Sequence, residues 1–430
     1  MRDVKRRIEN YSFYDRSGIA AHLEAMAAKG WQLEHMTNLI WTYRRSAPQR
    51  LRYAVTYYPG GSAYDPEPNP ALAEFYELCE HEGWERVAGF AEMNIFVNRR
   101  ENPTPLETDP AVELGVIERS VRRRLTRPYW IMLVVTALFA FLGLGNLFVD
   151  PVYALSGLYS VPAGLCFAFC AAALAVELVG YYRWRSRARE AAAHGESVET
   201  KSPCRAAQAL LVCILVSLAF AALWIFIAGD NYARFSCVLV LVVYAVAFTL
   251  MQTSVDRLKK HGSSKGRTFV VSFALVLVVS VVLYMGAGRF AFGLAREGDN
   301  ENYVNHSLSL SDLSGADLSG YVRAPLDRES VILAQSSVDE SMHYEALGED
   351  IGDLEYTTTF VKLPALYGFC ERSLSRGGES VDPEPWGALR AYSMGGNAYT
   401  LCYADRVVEI SLPFSPSAEQ MAIVYERLGN

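Results

Sequence analysis

The 430-residue sequence has no catalytic signature. A Walker loop, an H-E-x-x-H helix and the kinase motif set are all missing. The seven histidines are scattered. Cysteine is sparse, eight residues in all, and its spacing gives no reason to expect a zinc site. The fixed acidic ladder and central glycine of a calcium loop are absent. So is any helix-turn-helix or RNA-binding pattern, and direct nucleic-acid binding is not expected. These gaps argue against an enzyme and give no reason to expect a cofactor or a bound metal. Residues 1–10 are charged and lack the apolar run of a cleaved leader. The first membrane helix is therefore expected to act as the insertion signal.

Long hydrophobic runs dominate the middle of the chain. Spans are expected at 129–148, 156–181, 206–228, 233–253 and 268–288. Each has about 20 or more mostly apolar residues, enough for a ~30 Å hydrocarbon core at ~1.5 Å per residue. A soluble core helix would keep a polar stripe. The second run begins near Val152, and Pro162 is expected to separate an interfacial start from the true span or to kink it.

Charge orients these spans. The net charge of −7 hides a division: residues 297–430 hold 22 acidic and 8 basic side chains, leaving 25 acidic and 32 basic before them. Arg119, Arg122, Arg123, Arg124 and Arg127 precede the first span. Arg183, Arg185, Arg187, Arg189, Lys201 and Arg205 follow the second, and Arg257, Lys259, Lys260, Lys265 and Arg267 follow the fourth. The loop after the first span has no Lys or Arg, and that after the third has only Arg234. Alternating positive loops place the N-terminus in the cytoplasm and, after five spans, the C-terminus outside. The expectation is a multi-domain, multi-pass cell-membrane protein. It comprises an N-terminal cytoplasmic α+β domain over 1–125, an all-α transmembrane bundle over 126–292, and an acidic extracytoplasmic α+β domain over 293–430.

The N-terminal part carries an internal repeat of an αββ unit. A helix over Ile19–Lys29 is followed by Gly30-Trp31 and two strands through Arg44-Arg45. A helix over Ala71–His81 is followed by Gly83-Trp84 and two strands through Arg99-Arg100. Leu23 and Met26 mark one apolar side, Phe75 and Leu78 the other. Glycine suits the left-handed residue that ends each helix. Leu51–Tyr58 alternates like a further strand. The order αβββαββ predicts two helices on one face of an antiparallel sheet.

The segments "FYDRSGIAAHLEAMAAKGWQLEHMTNLIWTYRR", "LRYAVTYY" and "FYELCEHEGWERVAGFAEMNIFVNRR" resemble domain-of-unknown-function family 2812 over residues 10–125. The resemblance implies a bacterial protein. Members often have hydrophobic spans after the domain and genes beside PadR-like regulators. It implies no activity and no catalytic residues. A PadR-like regulator is a cytoplasmic partner by this family context alone.

In the C-terminal part a Ser/Asp/Gly-rich linker is expected over Ser309–Gly320, where "SDLSGADLSG" is too short to stack as a solenoid. Strands are expected at Ser330–Ala334, Tyr356–Leu363, Ala398–Tyr403 and Val407–Leu412. An exposed loop is expected at Gly377–Gly387, and a helix over Glu419–Leu428 capped by Ser417.

Few residues stand out as sites. Glu177 is the one candidate intramembrane polar residue, read either as part of an ion path or as pairing locally near Arg183. Arg289 is expected to snorkel. Arg44, Arg45, Arg99 and Arg100 end the repeated hairpins and are candidate contacts to a partner or to anionic lipid. Trp31 and Trp84 are read as equivalent core anchors rather than a pocket. Cys370 and Cys402, in an exported domain, are a candidate disulfide. His343, Glu345, Glu349, Asp350, Asp353 and Glu355 form an acidic stretch read as a solvated surface rather than a cation site.

The architecture favours a membrane-anchored sensing or regulatory protein, in contact with the lipid bilayer, that couples an outer domain to an inner partner-binding domain. The alternative is a transport or cell-envelope accessory subunit. An exported enzyme would need polar groups converging in one outer cleft.

Overall fold

The structure, a computed structural model, describes residues 3–9, 11–37, 40–58, 61–62, 64–65, 72–106, 109–196, 204–229, 231–279, 281, 308–315, 321–342 and 351–429. The chain divides into two compact units. One comprises Met1–Ala137, Ala168–Leu215 and Val240–Gly286; the other comprises Leu138–Phe167, Val216–Leu239 and Ala287–Asn430.

The first unit opens with two copies of a βαββ module. The first copy is β1 (Val4–Ile8), α1 (Arg16–Ala28), β2 (Trp31–Met36) and β3 (Ile40–Arg45). The second is β4 (Arg52–Tyr57), α2 (Ala73–His81), β5 (Glu85–Phe90) and β6 (Met93–Asn98). Each copy builds its own three-stranded antiparallel sheet, ordered β1-β3-β2 and β4-β6-β5. The copies share their irregularities: the register shifts between Leu33 and His35 in one and between Arg86 and Ala88 in the other. Gly30 and Gly83 take the left-handed φ of 77° and 82° that ends each helix.

Two expectations are corrected here. The repeat includes a leading strand, and there are two small sheets rather than one. The strand β1 reads VKRRI and is exposed throughout, so it lacks the alternation that marks a half-buried strand. Charged residues on an edge strand also discourage pairing with another chain. Helix α1 begins earlier than expected because Asp15 caps it, accepting from the Gly18 amide at 3.0 Å. Its buried residues Ile19, Leu23, Met26 and Ala27 fall on one face. In α2 the buried residue is Cys79, while Leu78 is 64% exposed rather than inward.

Among the described residues, four helices are long and apolar enough to cross a membrane. The first is continuous over Pro110–Val149. It joins α3 (Pro110–Val121) to α4 (Arg127–Val149) through a π-helical turn at Arg122–Thr126. The others are α6 (Ser160–Ala193), α7 (Cys204–Ala228) and α8 (Asn231–Lys260). Of the fifth expected span, residues 265–279 are helical, and the stretch beyond 281 lies outside the described residues. Their apolar surfaces are largely uncovered, as expected of helices solvated by lipid. The break before the second span falls at Gly157, which ends the short helix α5 (Pro151–Ser156), not at Pro162, which sits in the first turn of α6. That first turn tolerates proline because its amide has no helical partner. In the second unit α4 and α6 meet through glycine: a Cβ on Gly143 would lie 2.8 Å from the Gly164 Cα.

The second unit holds a seven-stranded antiparallel sheet ordered β10-β11-β12-β13-β9-β8-β7. Its strands are β7 (Tyr321–Glu329), β8 (Leu333–Met342), β9 (Leu354–Val361), β10 (Glu379–Val381), β11 (Arg390–Gly395), β12 (Ala398–Cys402) and β13 (Arg406–Ser411). Part of the expected linker is a helix, α9 (Leu310–Ser314), closed by a full capping box between Ser309 and Asp312. The segment expected as an exposed loop instead supplies edge strand β10 and a 3-10 turn that buries Trp386 to 2%. Helix α10 (Tyr367–Leu374) was not expected at all. The final helix α11 (Ala418–Val424) starts at the expected Ser417 cap and continues as a π turn. One core packs Leu308, Leu310, Trp386, Leu401, Val408, Ile410 and Val424. On another sheet face, Val152 of α5 joins Leu333, Val361 and Cys370.

Candidate functional site: a cavity between the repeat domain and the membrane helices

Within the first unit the repeat domain shares a hydrophobic core with the helices. Tyr14, Ile19 and Leu23 belong to the same buried cluster as Ile117, Val121 and Leu125 of the first long helix. Leu178, Tyr181, Trp184 and Ala188 of α6 complete it. Tyr14 stacks on Trp184 at 5.4 Å between centroids. Polar clamps reinforce the apolar contact. Arg185 donates to both carboxylate oxygens of Glu118 at 2.8 and 3.2 Å, and Arg189 does so at 2.6 and 2.8 Å. Arg16 of α1 pairs with Glu113 of α3. The basic loop residues read as topological markers are thus in part structural ligands of the domain.

A cavity of about 450 Å³ opens in this shared region. Glu177 of α6 lines it, together with Glu9 and Ser12. Tyr11, Phe13, Trp41, Phe90 and Tyr129 supply aromatic walls. Ala173, Leu174, Leu211 and Ile214 supply an aliphatic wall from α6 and α7. Arg124 enters from the π turn, 4.9 Å from the Phe90 ring centroid and 5.6 Å from that of Phe13. The π turn adds a residue to the helix and so re-aims the side chains beyond it.

Glu9 belongs to a compact polar cluster. His22 Nε2 lies 3.0 Å from its carboxylate and 3.2 Å from the Tyr43 hydroxyl, while Arg7 approaches at 3.4 Å. Tyr43 is fully buried, and that burial, with Glu9 beside it, pushes its phenol above the usual range. Burial likewise raises Glu92, whose charge faces Arg124. Ser12 and the carboxylate of Asp15 lie near Glu177.

The structure therefore brings Glu177 against the repeat domain rather than against Arg183. The candidate arginines lie in or just past strands of two different sheets. Arg44 and Arg45 lie within β3, whereas Arg99 and Arg100 lie just past the end of β6. Arg44 is held by Glu34, at 3.0 Å through Nε, and Arg99 approaches Glu85 at 3.7 Å. Trp84 is buried and donates to the Thr104 carbonyl at 2.9 Å. Trp31 is only partly buried and faces Lys5, so the two tryptophans anchor different clusters and are not equivalent. Cys370 and Cys402 are separate, buried free thiols, which corrects the expected bridge. Cys370 points into the cluster with Val152 and Leu333, while Cys402 ends β12 beside Tyr367. His343, Glu345, Glu349, Asp350 and Arg289 lie outside the described residues. Among the described residues no group of three or more His, Cys, Asp or Glu side chains is placed to hold a metal ion.

Arg124, Trp41, Glu9 and His22 were not singled out by sequence. Arg124 stood inside a run of basic residues explained by topology, and Glu9 inside a charged, unpatterned strand.

Residues 16–129 match the model of a family described as "Protein of unknown function (DUF2812)". This family region covers the N-terminal part of the chain and reaches the start of α4. It includes Arg124 and the aromatic wall residues Trp41 and Phe90, while Glu9 and Glu177 lie outside it. No curated protein and no solved structure matches the chain.

Proposed function

We propose that the chain is a membrane-anchored sensing or regulatory protein, with its DUF2812-like domain on the cytoplasmic side and its seven-stranded domain outside. The observation that carries this reading is the shared core of the first unit. A domain that merely hung from the membrane would be joined by an exposed linker. Here Tyr14 and Ile19 pack with Tyr181 and Trp184 of an apolar helix, so a shift of that helix has to move the domain. The second unit has the matching feature. Helix α5, between α4 and α6, packs on the seven-stranded sheet, where Ser156 donates to Gln335 at 2.6 Å. Helices α4 and α6 each contribute residues to both units and are the route for coupling. This rests on architecture, because fold does not dictate activity.

The partner is a cytoplasmic protein, and a PadR-like regulator is the first to test. Photo-crosslinkers placed at Arg45 and Arg99 of the full-length protein in cells should capture one specific partner. Recovery of nothing beyond an unrelated membrane control, or a reporter after Asn430 found in the cytosol, would end the proposal.

A second reading, an accessory subunit of a transporter, is favoured by the position of Glu177 in a cavity. It requires Glu177→Gln to abolish a measurable flux at unchanged protein abundance.

A further inference from the structure

The cavity of the first unit has an unbalanced charge. Glu9 is answered by Arg7 at 3.4 Å and His22 at 3.0 Å. Arg124 is answered by the nearby charge of Glu92 and by the faces of Phe13 and Phe90. Glu177 has Ser12 and a second carboxylate, Asp15, near it, and among the described residues no cation pairs with it. A carboxylate withdrawn from water needs a cation or several donors. Unless Glu177 takes up a proton, its counter-charge has to come from a bound cation, since none pairs with it among the described residues.

The walls restrict what carries it. Leu174, Leu211 and Ile214 are aliphatic and belong to helices apolar enough to cross a membrane. A bare metal ion gains nothing from them, and the described residues offer it no ligand cluster. Tyr11 and Trp41 stack at 5.9 Å with 26° between planes and line the same space. Aromatic faces and a carboxylate together recognise ammonium groups. An anionic head would meet Glu9 and Glu177 in repulsion.

We propose that this cavity binds an amphiphile with a cationic ammonium head, the head set between Glu177 and the Tyr11–Trp41 faces and the chain laid along Leu174, Leu211 and Ile214. The volume, about 450 Å³, suits a head group and part of a chain. The ligand is either a membrane lipid with an amino-bearing head or a free alkylammonium compound. The proposal does not rest on the sensing reading, since binding is read out without any signal.

The test uses the full-length protein in a neutral maltoside detergent. Three photoreactive C12 probes share one chain and carry a trimethylammonium, a sulfate or a hydroxyl head. The trimethylammonium probe should label 173–177 and 211–214. Glu177→Gln should weaken it at least about tenfold, the loss of one desolvated charge contact, and leave the hydroxyl probe unchanged. Ala173→Phe fills the cavity while keeping the carboxylate, and should abolish the labelling too. Trp41→Leu should weaken the ammonium probe several-fold. A parallel arm places the protein in nanodiscs containing a photoreactive lysyl-headed lipid. Labelling there assigns the ligand to the bilayer, and labelling by the free probe alone assigns it to a soluble amphiphile. Equal labelling by the sulfate probe, indifference to both Glu177→Gln and Trp41→Leu, or no labelling in either arm overturns the proposal.

Discussion

Arg185 grips Glu118 through two guanidinium nitrogens, at 2.8 and 3.2 Å, and so ties the membrane helix α6 to the helix that leaves the repeat domain. Charge-assisted, two-pronged bonds are the strong kind. Partial exposure of both side chains reduces their worth through screening. Glu118→Gln should therefore lower the stability of the first unit by about 1–2 kcal/mol. Arg185→Ala should be worse than Arg189→Ala, because Arg189 is 56% exposed against 31% for Arg185. Thermal unfolding of the full chain in detergent, at low and high salt, checks both the order and the expected loss of the difference in salt.

Gly30 and Gly83 occupy equivalent places in the two repeats, with the same left-handed backbone, yet they are not equally replaceable. A Cβ on Gly30 would lie 2.8 Å from the Ser46 carbonyl oxygen, a backbone atom that cannot step aside. On Gly83 it would meet the Asn98 amide side chain at 3.3 Å, a looser approach that a shift of a few tenths of an ångström relieves. Gly83→Ala should cost about 1 kcal/mol for the positive φ, and Gly30→Ala clearly more. Chemical unfolding of the two variants side by side decides it. Equal effects would mean that the backbone conformation alone sets the cost.

What sequence revealed here followed the strength of the periodic signal. Runs of lipid-facing residues in α4, α6, α7 and α8 were visible because nothing else explains 20 apolar residues in a row. The paired Gly-Trp corners exposed the repeat because the chain must turn there. Strand β1 escaped because its residues are charged and exposed. The pairing of β7 with β8 escaped because Pro325, Asp327 and Arg328 sit in the edge strand β7, where a missing ladder bond is tolerated. Glu177 was found as a lone acid in an apolar run. Its company was not, because Ser12, Trp41 and Arg124 come from three distant segments and meet only through tertiary packing. Cys370 and Cys402 were paired on compartment alone, a criterion that carries no geometry.

Those two thiols give a chemical prediction. Burial raises both, and Cys402 is pushed up to about 11 by burial and by the carboxylate of Glu371. A protonated, buried thiol is a poor nucleophile. In the native protein both should react slowly with iodoacetamide at pH 8. In denaturant without reductant both peptides should alkylate fully, with no gain on adding a reducing agent. A reductant-dependent gain confined to these two peptides would show that they bridge after all.

Glu409 sits in the middle strand of the seven-stranded sheet, with Thr357 and Thr400 as its cross-strand neighbours. Burial, and then the charge of Asp150 at the start of α5, push its carboxyl up to about 7. Linkage sets the sign. In the unfolded chain this group loses its proton near the ordinary glutamate value, while in the folded unit it keeps the proton until near neutrality. Between those two values the folded state holds more protons, so stability falls as pH rises and the loss is complete above about pH 7. Below the ordinary value both states are protonated and nothing is lost. The fall is on the order of 1–3 kcal/mol, the upper figure corresponding to the whole shift. Glu409→Gln, neutral at every pH, should remove that slope and stabilise the unit at pH 8. Asp150→Asn should reduce the slope, because the repelling charge goes while the burial stays. Denaturant melts of wild type and both variants at pH 4.5, 6 and 8 measure this. A wild-type stability that rises steadily from pH 4.5 to 8, with Glu409→Gln parallel to it, would place Glu409 in water rather than in the sheet's interior.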